Sequence, residues 1–214
     1  MCPRPYQLGR RQAAIDASRR RVLDAARALL AESTSYTAFT VDAVAKRADV
    51  ARATVYYQFG SKTGLLEALC DVLADEGQMS DLAGAFTDPD PEEALRTFVT
   101  VFARFWDADR LVMRRLRALA ALDPDVAAVI AARDERRRHA LRALLDRRTD
   151  VPNPKRAVRV AHMLTSFETF DAVLTPQQKP THAVPVLIDL ITASIHATTT
   201  PPAAASVEPR QSAG

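Results

Sequence analysis

The stretch TVDAVAKRADVARATVYYQFGSKTGLL, residues 40–66, carries the clearest structural signal in the chain. Thr40 is suited to cap a helix, because its hydroxyl can accept a hydrogen bond from a free amide of the first turn. Apolar residues then recur every three or four positions, which is typical of a helix with one buried face. We expect this helix to end near Asp49 and a second helix to run from Arg52 until Gly60 caps it.

Two short helices joined by a turn of three or four residues form a helix-turn-helix. Ala45 and Ala48 are small enough to let the second helix cross the first closely. The second helix would be roughly 10 Å long and could lie in a DNA major groove about 12 Å wide. Its outer face is aromatic and hydroxylated, with one Arg and no carboxylate. The alternative is a pair of packed amphipathic helices with an ordinary solvated face.

The same stretch resembles the helix-turn-helix signature of the TetR family of bacterial transcriptional regulators. The resemblance covers about thirty residues without a gap, and it implies a domain that binds double-stranded operator DNA. The residues that carry it are Thr40, Val44, Ala45, Ala48, Val50, Thr54, Val55, Tyr56, Tyr57, Phe59, Ser61, Lys62 and Leu65.

The resemblance also implies DNA-contacting roles for eight residues. Thr40 and Lys62 would contact phosphates at the two ends of the unit. Side chains of the second helix would face base edges or the adjacent backbone, and Tyr57 would reach a phosphate or a base. Whether Arg52 reads a base or holds a phosphate stays open. The eight residues are Thr40, Arg52, Ala53, Thr54, Tyr56, Tyr57, Gln58 and Lys62.

Three positions depart from the family pattern. Ala51 stands where a Ser commonly caps the recognition helix, so that helix would begin without a side-chain cap. Gly64 stands in the first turn of the next helix, where it costs about 1 kcal/mol relative to Ala. Ala53 offers only a methyl group, so its readout would be an apolar contact with a thymine methyl.

The composition of the whole chain predicts an all-α fold. Its 214 residues are 48% hydrophobic and include only six Gly, with many Ala, Leu and Arg, and we find no strand pattern. We predict about nine helices. The predicted parts are a basic arm and helix-turn-helix domain at 1–63, a helical ligand-binding and dimerisation domain at 64–198, and a disordered, Pro-rich tail at 199–214.

Charge is distributed unevenly along the sequence. Residues 1–62 carry eleven Lys or Arg against five Asp or Glu, whereas residues 63–214 carry eighteen against twenty-one. A basic N-terminal third on an acidic remainder indicates a head that binds a polyanion. No uncharged apolar run reaches eighteen residues, and no apolar signal region follows the N-terminus. We therefore expect no membrane partner and a cytoplasmic location.

Two segments late in the chain are more apolar than a single core requires. A long helix is predicted over 154–174 and a last helix over 181–198, which is apolar on nearly every side. A terminal helix of this kind should be covered. In the resembled family the last two helices form a four-helix interface in a homodimer. The predicted interface residues are Val160, Leu164, Leu187, Ile188, Ile191 and Ile195.

An enzyme is not expected. The four His residues are scattered without metal-ligand spacing, and no phosphate-binding Gly loop or nucleophile turn is present. We predict no cofactor and no metal. A pocket for an unknown small-molecule effector is expected in the body, although each candidate residue could equally belong to the core. The candidates are Phe98, Phe102, Trp106, Met113, Leu116, His162, Phe167 and Phe170.

Two hypotheses of function follow. The first is a sequence-specific, dimeric transcriptional regulator that acts as a repressor and is released by a small hydrophobic effector. The second is a helical small-molecule-binding or scaffold protein that does not bind specific DNA. The missing cap at Ala51 and the bare methyl of Ala53 motivate the second hypothesis.

Overall fold

The structure, a computed structural model, describes residues 5–32, 39–175 and 178–196. The predicted tail at 199–214 lies outside these ranges, and so does the start of the basic arm. The all-α class is confirmed, but the predicted count of about nine is low, because the described ranges hold eleven α-helices. They are α1 (Pro5–Glu32), α2 (Val41–Arg47), α3 (Arg52–Phe59), α4 (Lys62–Glu76), α5 (Leu82–Thr87), α6 (Pro91–Ala108), α7 (Arg110–Ala120), α8 (Pro124–Leu145), α9 (Pro154–Leu164), α10 (Phe167–Val173) and α11 (Ala183–His196).

Helices α1, α2 and α3 form the N-terminal head. Thr40 caps α2 as predicted, because its hydroxyl oxygen accepts a hydrogen bond from the amide of Ala43 at 3.1 Å. The turn to α3 passes through Asp49, whose φ of 52° is uncommon for a residue with a side chain. Val55 of α3 is 1% exposed and packs into the same core as Ala45 and Ala48. The helix-turn-helix prediction is therefore confirmed.

Helix α4 joins the head to the body, which comprises α5–α11. Ser61 caps α4 by accepting a hydrogen bond from the amide of Gly64 at 3.0 Å. Helix α4 contacts α1 and α3 of the head as well as α6 and α8 of the body. Leu65 and Leu66 are almost fully buried, so a domain boundary at 63/64 falls inside one continuous packed helix.

Two predicted segments differ from the structure. The loop predicted over 78–91 contains α5 and a short 3-10 turn at Met79–Asp81. The predicted long helix at 154–174 is broken into α9 and α10. Thr165 donates its hydroxyl back to the carbonyl of Ala161 at 2.8 Å, and Ser166 adopts extended backbone and caps α10. The local hydrogen bonds of these hydroxyl residues favour the end of one helix and the start of another.

Long-range partners stabilise this break between α9 and α10. The guanidinium of Arg137 on α8 donates to the carbonyl of His162 at 2.6 Å and to the hydroxyl of Thr165 at 2.8 Å. The indole of Trp106 on α6 donates to the carbonyl of Thr165 at 3.1 Å. Carbonyls that the break removes from helix hydrogen bonding are thus satisfied inside the protein.

The arginines near the N-terminus also find partners inside the protein. Helix α1 begins at Pro5, so Arg19 lies far from its first turn. Arg19 donates to the carbonyl of Gln58 at 3.0 Å, and its guanidinium lies 4.4 Å from the ring centroid of Phe59. Arg27 pairs with Asp109 at 2.5 Å and with Glu76 at 2.8 Å, which ties α1 to the body.

The predicted interface residues are mostly buried within the single chain. Leu187, Ile191 and Ile195 of α11 are at most 3% exposed, because α11 packs on α6 and α9. Leu164 is 8% exposed, and Val160 and Ile188 are partly buried. The outward apolar residues on these two helices are instead Met163, Val186 and Leu190, which are 57%, 45% and 45% exposed.

We predict opposite stability effects for two Gly→Ala substitutions. A Cβ at Gly64 would lie 2.1 Å from the carbonyl oxygen of Phe59, so Gly64→Ala should lower the free energy of unfolding by about 1–3 kcal/mol. At Gly84 in α5 the nearest atom, Cγ2 of Thr97, is 3.9 Å away. Gly84→Ala should therefore gain helix propensity and raise stability by up to about 1 kcal/mol.

Thermal unfolding of both variants checks this prediction. A shift of about 2–4 °C per kcal/mol is expected for a chain of this size. Equal stabilisation by the two substitutions would show that helix propensity, and not the close approach of Phe59, decides the effect at Gly64.

Candidate nucleic-acid interface and effector cavity

The outer face of α3 is exposed and aromatic. Tyr57 is 83% exposed and Tyr56 is 39% exposed, and Ala53 is exposed beside them. Helix α3 begins at Ala51 without a side-chain cap, so its first amides remain available to an external acceptor. Thr40 is also exposed, and its hydroxyl hydrogen is free of the cap, in which the oxygen accepts. These groups could donate to phosphates or base edges.

Arg52 is held at the start of α3 by neighbours in the head. Its guanidinium pairs with Asp42 at 3.2 Å and donates to the hydroxyl of Tyr56 at 3.2 Å. The pKa of Arg52 lies above its ordinary value because of the hydrogen bond to Tyr56 and the charge of Asp42. The side chain is 60% exposed. Arg52 is therefore a cation oriented on the α3 surface, and Asp42 competes for it with any DNA acceptor.

Two of the eight residues expected to contact DNA are half-buried. Gln58 is half-buried, and its amide nitrogen lies 3.2 Å from the hydroxyl of Ser18 on α1. The Gln58 side chain thus turns towards α1 and away from the exposed face, because position 58 is on the inner side of the last turn of α3. Thr54 is half-buried as well, whereas Ala53 and Tyr57 face outward.

Lys62 forms an ion pair with Asp123, which caps α8 in the body. Burial opposes ionisation of Asp123, but the Lys62 ammonium and the amides of α8 outweigh it and lower the pKa of that carboxyl. The Lys62 side chain is 23% exposed. A DNA phosphate would therefore have to compete with Asp123 for this ammonium.

The body contains a cavity of about 240 Å³, which we call the aromatic cavity. Its walls come from α4, α6, α7 and α8, together with the turn before α5. Helix α4 contributes Cys70, Leu73 and Ala74. Cys70 is 4% exposed, and burial raises the pKa of its thiol. The large apolar residues of the wall are Leu73, Met79, Leu82, Phe102, Phe105, Trp106, Met113 and Ile130.

Part of the wall of the aromatic cavity is strongly cationic. Arg117, Arg133, Arg136 and Arg137 line it together with a single carboxylate, Asp134. Arg117 binds Asp134 through two hydrogen bonds of 2.7 and 2.8 Å, and its guanidinium lies 5.3 Å from the ring centroid of Trp106. Burial raises the pKa of Asp134, but Arg117 and Arg137 outweigh it and hold that pKa below its ordinary value.

The structure places the expected pocket residues in two groups. Phe102, Trp106 and Met113 line the cavity. His162 lies beside it, where its Nε2 is 3.0 Å from the carbonyl of Asp134. Burial and the charge of Arg137 lower the pKa of His162. The remaining four candidates do not line this cavity and are packed in the core: Phe98, Leu116, Phe167 and Phe170.

Sequence comparison assigns the head to a known family. Residues 22–69 match the family of bacterial regulatory proteins named tetR. The matched range covers α2 and α3 and parts of α1 and α4. The head of this chain belongs to the TetR family. The chain is a DNA-binding transcriptional regulator and not an enzyme. No curated protein matches the chain significantly.

Solved structures of transcriptional regulators share the fold. PfmR from Thermus thermophilus is 26% identical, with a TM-score of 0.58 over 79% of this chain and 96% of that one. LfrR from Mycobacterium smegmatis in complex with proflavine is 25% identical, with a TM-score of 0.50 over 86% and 99%. A transcriptional regulator from Saccharomonospora viridis in complex with choline is 18% identical, with a TM-score of 0.60 over 83% and 96%.

No helix in the described part of the chain is both long and apolar enough to cross a bilayer.

Substitution of Arg52 and of Lys62 should affect DNA binding differently. Arg52→Ala should remove a preference of about 1–3 kcal/mol at one base position of each operator half-site, while binding to random DNA falls less. Lys62→Ala should weaken binding to operator and random DNA equally, because phosphate contacts do not specify sequence. It should also reduce the salt slope by about 1 for each lost contact. Titrations across all single-base operator variants at several salt concentrations measure both effects.

Asp123→Asn is the matched control for Lys62. Asn retains the cap of α8 but removes the charge that holds the Lys62 ammonium. If Lys62 serves phosphates, this variant should bind DNA at least as tightly as the parent chain. A loss equal to that of Lys62→Ala would mean that the pair only fixes the head to the body. For Arg52→Ala, an equal loss of affinity for every single-base operator variant would contradict base reading by Arg52.

Proposed function

We propose that this chain is a dimeric, sequence-specific repressor that a small molecule releases from its operator in the cytoplasm. Residues 1–63 would form the DNA-binding unit, and residues 64–198 would bind the effector and the second subunit. The main support for the proposal is the position of α4 between the head and the cavity. The same helix supports the recognition helix α3 and supplies part of the wall of the aromatic cavity.

The exposed face of α3 supports DNA reading. Tyr57 is 83% exposed, so its phenolic hydroxyl is accessible to a phosphate or a base edge. Arg52 and the uncapped start of α3 provide hydrogen-bond donors at the end of the helix that meets base edges in helix-turn-helix proteins. Thr40 and Lys62 would position the head on the phosphates.

The aromatic cavity supports release by a ligand. A molecule in the cavity would press on Leu73 and Ala74, while the same helix contacts α1 and α3 of the head. Because a packed helix moves as a rigid body, a shift of α4 would change the spacing of two recognition helices in a dimer. The complexes of relatives with proflavine and with choline support the proposal of a small-molecule site.

Exposed apolar residues on α9 and α11 support dimerisation. Met163, Val186 and Leu190 lie on these neighbouring helices. Side chains of this size are suited to an interface between two copies of the chain. A two-fold dimer would place two α3 helices about one turn of DNA apart, or a multiple of it, on a pseudopalindromic site.

Binding of the full chain to the DNA upstream of its own coding sequence tests the proposal. We expect a discrete shifted band that survives a large excess of random competitor DNA. The other candidate function is a helical ligand-binding or scaffold protein without specific DNA binding. The partly buried ion pair of Lys62 and the inward turn of Gln58 favour that candidate, and failure to shift any genomic fragment would support it.

Leu190→Glu should weaken the dimer and operator binding together. The side chain is 45% exposed, so the charge can be solvated in a monomer but would be buried at an interface. Sedimentation at micromolar concentration should show dissociation, with a loss of operator affinity of at least about tenfold. Leu122→Glu is the matched control, because Leu122 is 67% exposed in the link between α7 and α8. If both variants behave like the parent chain, the α9–α11 face is not the interface.

A further inference from the structure

The aromatic cavity contains more positive than negative charge. Its wall has four Arg residues and one Asp. Two more carboxylates reach these arginines from outside, because Asp71 pairs with Arg133 at 2.6 Å and Glu168 approaches Arg117 at 3.4 Å. Both carboxylates are at least 60% exposed, so water screens them. Even when they are counted, the arginines exceed the carboxylates by one, and Arg136 is the exposed member of the four.

Three of these arginines also have unused donors. The Nε atoms of Arg117, Arg133 and Arg137 are buried and have no hydrogen-bond partner among the described residues. Arg137 is 4% exposed, although its two terminal nitrogens are satisfied by His162, Thr165 and Asp134. A buried donor without a partner costs free energy, and more so in a charged group. Burial lowers the pKa of Arg137 below its ordinary value, and the nearby Arg117 adds to this effect.

The aromatic part of the cavity wall borders these arginines, because the guanidinium groups of Arg117 and Arg137 lie 5.3 and 6.0 Å from the ring centroid of Trp106. Phe102, Phe105 and Trp106 form a cluster with ring centroids 4.6–6.4 Å apart, and Met113 lies on α7 beside them. Aromatic and thioether groups favour a flat or apolar body. The cavity wall therefore combines an aromatic surface with guanidinium groups that border it.

We propose that the effector of this regulator is an amphipathic monoanion, with an aromatic or apolar body on the Phe102–Trp106 cluster and a carboxylate or similar oxyanion on Arg133. This inference names the ligand class of the effector site and so rests on the proposed function. An anion would balance the excess charge and accept hydrogen bonds from donors that otherwise have no partner. A cation of the same shape would meet three or more guanidinium groups and be repelled.

Arg133 is the arginine best suited to be tested. Its known partners are the carbonyl of Glu67 at 3.0 Å and the exposed Asp71, so its loss leaves no buried carboxylate alone. Loss of Arg137 would instead free the carbonyls at the α9–α10 break, and loss of Arg117 would leave Asp134 buried without its main partner. Arg138 on the same helix pairs with exposed Glu135 and does not line the cavity.

The experiment measures binding to the full chain without DNA. The sequence has one Trp, and Trp106 lines the cavity, so its fluorescence reports occupancy directly. The probes are phenylbutyrate, phenylbutanol and phenylbutylammonium, which share one body and differ in the charge of the end group. Phenylbutyrate should bind at least about tenfold more tightly than phenylbutylammonium, with phenylbutanol between them.

Substitution separates charge recognition from shape. Arg133→Gln should weaken the binding of phenylbutyrate by about tenfold. The affinity for phenylbutanol should stay within about twofold of the parent value. Arg133→Lys should retain most of the preference for the anion, and Arg138→Gln should change nothing. Equal or tighter binding of the cation would overturn the proposal, and so would an equal loss of all three probes in Arg133→Gln. Absence of any fluorescence change with the three probes would overturn it as well.

Operator binding of the same preparations is measured separately. If the chain shifts operator DNA but does not bind phenylbutyrate, the proposed regulatory function is supported and the proposed ligand class is contradicted. If the chain binds phenylbutyrate but shifts no genomic fragment, the proposed ligand class is supported and the proposed regulatory function is contradicted.

Discussion

Continuous apolar packing along α4 is the constraint on which the rest of the structure depends. Leu65, Leu66 and Leu69 are buried in the same core cluster as Val55 of the recognition helix, and Leu73, four residues beyond Leu69, lines the cavity. The buried residues of head and body form one cluster that runs from Val22 to Ile195. Because close-packed interiors do not deform gradually, a displacement at one end of α4 must be accommodated at the other.

Ion pairs between head and body limit how that accommodation can occur. Arg27 joins α1 to the end of α4 and to the start of α7, and Lys62 joins the start of α4 to the cap of α8. These pairs are only partly exposed, so salt screens them less than it would screen surface pairs. The head therefore has a defined resting orientation on the body, which is the property that a ligand needs in order to change DNA binding.

The sequence predicted the head well because its signals are local. Thr40 and Ser61 cap their helices through residues three positions away, and Gly60 supplies the positive φ at the end of α3. The cavity could not be predicted in the same way. Its arginines lie largely in the run ARDERRRHALRALLDR, whose composition is typical of a solvated helix. Only the folded structure shows that Arg137 is buried. The break after Leu164 likewise depends on Arg137 and Trp106, which are distant in sequence.

Hydrogen exchange along α4, measured on the full chain free and bound to an operator duplex, tests the coupling most directly. The account predicts that operator binding changes the protection of amides at 70–74 of α4, together with those of the cavity segment 130–140 of α8. These residues line the cavity and lie outside the head, so direct contact with DNA would not explain such a change. A change confined to residues 39–62 would contradict the account, because it would show that the head binds DNA without any effect on the cavity.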